Sequence, residues 1–163
     1  MKKETRFITQ AGLIAALYVA LTYVSSIFGL SSGAVQCRLS EALCVLPAFT
    51  PAAVPGLFIG CLIANLLTGC IVIDVVLGSA ATLLGAAITY IISKKLKNPV
   101  LYTLPEILVN TLIVPFVIKY AYGSPDSVWF IILTFLAGEV ISAGALGTGL
   151  YYALRKKAGK IFK

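Results

Sequence analysis

The chain has 163 residues, of which 60% are hydrophobic and 12% are charged, and its mean hydropathy is +0.99. Soluble domains are about half apolar and about a quarter charged, so this composition excludes an ordinary soluble enzyme. It predicts one membrane-embedded domain over 1–163. The formal net charge of +7 would also fit a nucleic-acid partner. The basic residues, however, lie at the chain ends and in one loop, as in membrane proteins, so no nucleic-acid partner is expected.

Six apolar stretches are candidates for membrane spans, because a helix needs about 20 mostly apolar residues to cross the hydrocarbon core. They are 7–28, 35–49, 52–71, 75–92, 101–121 and 128–154. Asp74 marks a break before the fourth stretch, and Pro105 and Pro115 interrupt the fifth. The predicted fold class is all-α: a polytopic bundle of six transmembrane helices. The alternative is that two segments within 34–74 are re-entrant.

The basic residues predict how these spans are oriented, because cytoplasmic loops carry an excess of Lys and Arg. Arg38 and Lys119 lie near the outer ends of the second and fifth spans. With the N-terminus inside, the other eleven of the thirteen basic residues are cytoplasmic: Lys2, Lys3, Arg6, Lys94, Lys95, Lys97, Arg155, Lys156, Lys157, Lys160 and Lys163. The prediction is a multi-pass membrane protein with both termini in the cytoplasm.

Seven charged or amide side chains lie within the predicted spans or at their ends. A charge in the hydrocarbon core costs about 2.5–3.5 kcal/mol on insertion scales, so each such residue is a candidate for function. The seven are Arg38, Glu41, Asn65, Asp74, Glu106, Asn110 and Glu139. Most are expected in the outer half of the membrane, where a protein that binds an external solute would place polar groups. Glu106 is expected nearer the cytoplasm.

The spacing of these residues suggests partners for some of them. Arg38 and Glu41 are three residues apart and share a helix face, which fits a structural ion pair or two ligand contacts. Glu106 and Asn110, four apart, also share a face. Glu139 has no basic residue within one helical turn. Its partner must therefore be another helix, a proton or a ligand, which makes it the strongest site candidate.

The sequence carries no recognisable catalytic motif. It has no histidine, no phosphate-binding loop and no Ser-His-Asp set. The four cysteines lack the CxxC spacing of a metal site, although a disulfide between Cys37 and Cys70 is possible. We expect no catalytic residue, no metal and no cofactor. Active uptake would then need an ion gradient or ATPase partners.

Aromatic residues near the predicted span ends form a further group: Tyr90, Tyr120, Tyr122 and Trp129. Tyr and Trp are enriched at both membrane–water interfaces, which accounts for all four. The last three also flank the outer mouth, where one of them could instead stack on a planar ligand.

The first span carries small residues at four-residue spacing: Ala11 with Ala15, and Gly12 with Ala16 and Ala20. Small residues at this spacing let another helix approach closely in a membrane. The spacing alone fits either packing inside the bundle or contact with another subunit. Spans three and six repeat the pattern, where internal packing explains it: Gly56, Gly60 and Ala64, and Gly138, Ser142, Ala145 and Gly149.

Two stretches resemble the QueT family: Arg-Leu-Ser-Glu-Ala-Leu at 38–43 and the proline-rich stretch at 47–61. The resemblance continues through Pro105-Glu106 and Gly138-Glu139 and covers nearly the whole chain. QueT proteins are substrate-binding S-components of energy-coupling factor (ECF) transporters, associated with queuosine precursors. The resemblance implies a six-helix bundle of S-component type that captures a vitamin-like solute at the outer face. It also implies three partners: a transmembrane coupling subunit and two cytoplasmic ATPases.

The same resemblance implies a ligand and an interface. The ligand would be 7-aminomethyl-7-deazaguanine or queuine, whose N–H donors suit carboxylates and amides. The expected substrate-binding residues are therefore Glu139, Glu41, Asn110, Asp74, Asn65, Arg38 and Glu106. S-components carry an Ala-x-x-x-Ala motif on the first helix for the coupling subunit. Both Ala11/Ala15 and Ala16/Ala20 match that motif.

Three other functions fit the sequence. One is an S-component for a different vitamin-like solute, which needs only different pocket contacts. Another is a membrane-embedded enzyme with Glu106 and Glu139 as acid and base, although the lack of histidine and metal ligands counts against it. The third is a small ion-coupled transporter that works without ATPase partners.

Overall fold

The computed structural model describes residues 3–30 and 36–162, and all regular secondary structure within these ranges is helical. Helix α1 covers Lys3–Ile27 and is followed by a 3-10 helix, Leu39–Ala48. Helices α2 and α3 cover Ala53–Leu67 and Val72–Lys95. Helix α4, Val100–Phe116, continues into a π-helical turn, Val117–Ala121. Helix α5, Val128–Glu139, continues through a π-helical segment, Val140–Leu146, into α6, Gly147–Leu154, and a short α7 covers Ala158–Ile161.

Four helices in the described ranges are long and apolar enough to cross a membrane: Lys3–Ile27, Val72–Lys95, Val100–Ala121 and Val128–Leu154. The segments Leu39–Ala48 and Ala53–Leu67 are shorter apolar helices. The all-α prediction is confirmed for the part of the chain that the structure describes. The count of six spans stays a prediction.

The helix boundaries differ from the predicted ones at the polar residues and the prolines. Asp74 does not break a helix; it lies in the first turn of α3, where a carboxylate is favourable to the helix dipole. Pro105 and Pro115 stay inside α4, and the helix widens into a π-turn only after Pro115. The predicted span at 35–49 starts outside the described residues, and its described part forms the short 3-10 helix.

One end of the bundle, which we name the terminal end, carries the first turns of α1 and the last described residues. Thr50 Oγ1 donates a hydrogen bond to Gln10 Oε1 at 2.8 Å. The ring of Phe49 stacks on Tyr151 at 4.8 Å and on Phe162 at 5.8 Å between centroids. The turn between the 3-10 helix and α2 therefore lies beside both ends of the described chain.

The loop between α3 and α4 lies at the terminal end as well, because the rings of Tyr102 and Tyr151 meet edge to face at 5.5 Å. This placement puts most of the described basic residues at the terminal end: Lys3, Arg6, Lys94, Lys95, Lys97, Arg155, Lys156, Lys157 and Lys160. Lys2 and Lys163, predicted with them, are outside the described residues. Arg38 and Lys119 lie toward the opposite end, so the structure collects the basic residues at one end, as predicted.

The opposite end, which we name the cavity end, is where the 3-10 helix begins. The Leu39 backbone N–H donates to Ser25 Oγ at 2.9 Å, and Arg38 Nη1 donates to Asn65 Oδ1 at 3.1 Å. The 3-10 helix and α2 therefore form a hairpin that runs from the cavity end to the terminal end and back. At about 2.0 and 1.5 Å per residue, its arms are about 20 and 22 Å long, shorter than a ~30 Å hydrocarbon core.

Helices α1 and α2 approach each other at two glycines. A Cβ at Gly56 would lie 2.8 Å from the carbonyl oxygen of Ala11. A Cβ at Gly60 would lie 3.0 Å from the carbonyl oxygen of Ala15 and 2.8 Å from Tyr18 Cβ. Both glycines are required for this distance between the helices. The small residues of α2 serve internal packing, as predicted, and Ala11 and Ala15 pack against them.

The other small residues of α1 face outward. Gly12, Ala16 and Ala20 are exposed, and within the described structure a Cβ at Gly12 would meet no atom within 4 Å. The small-residue face of α1 is therefore split into an internal half and an exposed half. Of the four alanines of the predicted subunit interface, Ala16 and Ala20 are exposed, and the interface itself stays a prediction.

The bundle is apolar outside and partly polar inside. Large exposed apolar side chains include Leu13, Leu66, Leu112 and Leu133, whereas Asn65, Thr82, Thr89 and Glu106 are almost completely buried. Polar residues of membrane helices face the bundle interior in this way, because hydrocarbon offers them no partner.

The predicted orientation can be tested with reporter fusions. Fusions at residues 30, 97 and 123 should report outside, inside and outside, because the positive end is cytoplasmic. A fusion at residue 51 should report inside if the 39–67 hairpin crosses the membrane. The same side for 30 and 97 would contradict the orientation, and an outside signal at 51 would reduce the number of spans.

Candidate functional site

The cavity end contains an open cavity of about 420 Å³, a volume in the range of small-molecule sites. It opens between α1, the segment before the 3-10 helix, the α2–α3 turn and the end of α4. Its polar lining includes Gln36, Arg38, Thr68, Asp74 and Tyr122. We name it the outer cavity.

A much smaller inner cavity adjoins the outer one, since Arg38, Asp74 and Val114 line both. Glu41, Asn110 and Glu139 are among its other walls. The remaining two of the seven predicted residues lie directly behind these walls: Asn65 is bonded to Arg38, and Glu106 Oε1 accepts a hydrogen bond from Asn110 at 3.3 Å. The structure therefore brings all seven residues together, and their role in binding stays a prediction.

Arg38 and Glu41 do not bond to each other, although their spacing allowed an ion pair. Arg38 Nη1 donates to Asn65, and Arg38 Nε is buried without a partner. Glu41 accepts from Tyr18 OH at 2.6 Å through Oε1 and from Cys44 Sγ at 3.3 Å through Oε2. The guanidinium is thus aimed at α2 and the cavities, while the carboxylate is held by neutral donors.

Glu106 lies closer to Glu41 than the depth estimate from sequence suggested. One ligand atom from each of Glu41, Cys44 and Glu106 lies within 4.8 Å of the other two, a distance at which the three could hold a cation. Glu106 Oε2 is buried without a hydrogen-bond partner. It packs against Gly85 so closely that a Cβ there would overlap the carboxylate. Glycine at 85 is what gives Glu106 room inside the bundle.

Glu139 ends α5, directly before the π-helical segment. Its side chain is 5% exposed, and Oε2 has no hydrogen-bond partner among the residues that the structure describes. π-helical insertions are frequent at functional sites. The preceding residue, Gly138, touches the backbone carbonyl of Gln36 so closely that a Cβ would overlap it. The segment that carries Gln36 and Arg38 therefore packs directly beside Glu139.

Tyr122 closes one side of the outer cavity. Its hydroxyl donates to Asp74 Oδ2 at 2.8 Å and accepts from the Ile71 backbone N–H at 3.3 Å. Burial raises the pKa of the Tyr122 hydroxyl, and the bond to Asp74 raises it further, so it remains a donor at neutral pH. Of the outer aromatic residues, Tyr122 lines the cavity, whereas Trp129 and Tyr120 are about three-quarters exposed.

Several residues of the site were not singled out from the sequence. Tyr18 carried no signal, because a lone tyrosine in an apolar helix resembles an interfacial one. Gln36 and Thr82 are ordinary polar residues whose burial depends on the fold. All four cysteines are free thiols, so the disulfide between Cys37 and Cys70 does not form.

Comparisons with known proteins show the family of the chain. The profile of the family described as QueT transporter matches residues 8–156. The Queuosine precursor transporter QueT of Lactococcus lactis subsp. cremoris (strain MG1363) is 32% identical over 97 residues, which cover 60% of this chain and 57% of that relative. No solved structure matches the chain. Because the family profile covers most of its length, the chain belongs to the QueT transporter family.

Proposed function

We propose that the chain is the substrate-capture (S) subunit of an ECF-type transporter that imports a queuosine precursor, either 7-aminomethyl-7-deazaguanine or queuine. The observation that carries the proposal is the pair of adjoining cavities, around which a member of a transporter family gathers six buried polar residues and the half-buried Arg38. Membership of a transporter family implies a binding and translocation role without catalysis. In line with this, Glu106 lines neither cavity, so it is poorly placed to act with Glu139 as an acid and base.

The groups around the outer cavity suit a purine-like ring. Within the described part of the chain, Arg38 Nε is a buried donor without a partner, and Gln36 Oε1 is a buried acceptor without one. A guanine-type edge presents both N–H donors and a carbonyl acceptor, so it complements this pair. Glu139 adds a deeper acceptor, and hydrogen bonds to charged groups are stronger than neutral ones.

The charge distribution supports capture from outside. The terminal end carries most of the basic residues and is therefore the cytoplasmic end. The cavity end then faces the exterior, where a scarce solute would first be met. We accordingly place a single six-span domain in the bacterial cell membrane, with both termini in the cytoplasm.

The proposed partners are a transmembrane coupling subunit and two cytoplasmic ATPases. The exposed half of the small-residue face of α1 carries Gly12, Ala16 and Ala20. It is flat enough for close contact with another helix. Ala11 and Ala15 already make such a contact inside the bundle, with Gly56 and Gly60. We therefore assign the coupling interface to Ala16 and Ala20.

Ligand identity can be tested by a thermal-shift screen of the purified protein. The two proposed ligands, 7-aminomethyl-7-deazaguanine and queuine, should raise the melting temperature, because a ligand that binds only the folded state stabilises that state. Thiamine, riboflavin and biotin should leave it unchanged and serve as controls. A shift with one of these vitamins and none with deazaguanines would favour an S-component for another solute.

The Glu139→Gln variant tests the site. We expect it to weaken ligand binding about ten- to hundred-fold, because a hydrogen bond to a charged group contributes about 1.5–3 kcal/mol. Titration calorimetry would measure the affinity, and Glu4→Gln, on the exposed first turn of α1, is the matched control. Equal affinities for Glu139→Gln and the unchanged protein would mean that Glu139 is structural.

The interface assignment is tested by tryptophan substitutions on α1. Ala16→Trp should abolish uptake and association with the coupling subunit while ligand binding persists, because the bulky ring blocks only the exposed stripe. Ala15→Trp should lose binding as well, since it collides with Gly60 inside the bundle. Leu133→Trp, on the lipid-facing side of α5, is the control. Unimpaired association of Ala16→Trp would contradict the assignment.

A further inference from the structure

Three carboxyl groups line the inner cavity and a fourth, that of Glu106, lies directly behind its wall, against a single guanidinium. Glu41, Asp74, Glu106 and Glu139 are each at most 5% exposed, and they come from the 3-10 helix, α3, α4 and α5. Arg38 is the one basic side chain among the described residues that line the inner cavity. If all these groups were ionised, the cluster would carry three negative charges in excess of the positive one.

Neutral donors hold some of the carboxyl oxygens without balancing this charge. Asp74 accepts from Tyr122, Glu41 accepts from Tyr18 and Cys44, and Glu106 Oε1 accepts from Asn110. Among the described residues, two buried oxygens have no donor: Glu106 Oε2 and Glu139 Oε2. The cluster therefore has less positive charge and fewer hydrogen-bond donors than four ionised carboxylates would need.

An excess of buried negative charge is costly. Taking an ion out of water costs several kcal/mol even after the protein relaxes, unless an opposite charge accompanies it. Closely spaced carboxylates cannot all be ionised under these conditions. Some of these carboxyl groups must therefore hold protons when no cation is bound, and a positively charged ligand could take the place of those protons.

The titratable and charged groups that face the cluster come from every helix packed around it: Tyr18 of α1; Arg38, Glu41 and Cys44 at the 3-10 helix; Cys61 of α2; Asp74 of α3; Glu106 of α4; Tyr122 after α4; and Glu139 of α5. The tyrosines and cysteines are neutral donors near neutral pH. The exchangeable protons of the cluster are thus those of the carboxyl groups.

We propose that the bound solute is a cation whose protonated amine lies in the inner cavity against Glu139 and Glu41, and that its binding releases a proton from Glu139 to solvent. An alkylammonium group brings several N–H donors, which the orphaned Glu139 Oε2 can accept. The inner cavity is too small for a ring but admits such a terminal group, while the ring occupies the outer cavity. This inference rests on the proposed function and narrows it to precursors that carry a basic amine.

Two solutes with the same ring test the inference: 7-aminomethyl-7-deazaguanine, a cation, and 7-cyano-7-deazaguanine, which is neutral and of similar size. Titration calorimetry in two buffers of different ionisation enthalpy measures proton release. We expect the amine to bind at least about tenfold more tightly and to release about one proton. Its affinity should then rise up to about tenfold per pH unit between about pH 6 and pH 8, because each released proton adds one power of ten.

Glu139→Gln should reduce both the preference for the amine and the proton release, whereas Glu4→Gln should change neither. Equal binding of the two solutes without proton release would overturn the inference and leave the proposed function standing. A stoichiometric metal ion in the purified protein, lost in Cys44→Ser, would also overturn it, because the metal would then balance the charge. If neither solute binds, the inference and the proposed function fall together.

Discussion

Every polar side chain of the spanning helices must find its partner inside the bundle, because the outward faces are apolar. The short 3-10 helix supplies such hydrogen-bond partners to two polar side chains of α1. Its Glu41 accepts a hydrogen bond from the Tyr18 hydroxyl, and its Ser40 accepts one from the Thr22 hydroxyl at 2.8 Å. Arg38, just before it, binds Asn65 of α2. These bonds, together with the glycine contacts between α1 and α2, fix the rotation of three helices and so determine which side chains line the cavities.

Hydropathy and basic residues were enough to predict the all-helical fold and the collection of positive charge at one end. They did not predict the form of the hairpin that the 3-10 helix and α2 make. Apolar length predicts a span at 35–49, and the described part of this stretch is a tight 3-10 helix with Pro47 inside it. Asp74 predicts a break before the fourth span, and it lies instead in the first turn of α3, where a carboxylate is favourable to the helix dipole.

The grouping of the seven polar residues was predictable in outline, because a membrane forces such residues toward one another. Their partners were not, since these depend on how each helix is rotated about its axis. Adjacent positions on a helix differ by about 100°, which is enough to place Ala15 inside the bundle and Ala16 outside it. The spacing of Arg38 and Glu41 allowed an ion pair, but Tyr18 and Asn65, on two other helices, take those hydrogen bonds instead.

The brevity of the 39–67 hairpin has a consequence for how the protein is made. A 10-residue 3-10 helix that carries Glu41 is too short and too polar to be recognised as a span during synthesis. Its side-chain hydrogen bonds go to α1 and α2, which flank it in the chain. The cavity walls also include Asn110 and Tyr122, in and after α4, and Glu139 of α5, which are made later. A truncated chain that ends before α4 would therefore keep the hydrogen bonds of the hairpin but lack a complete site.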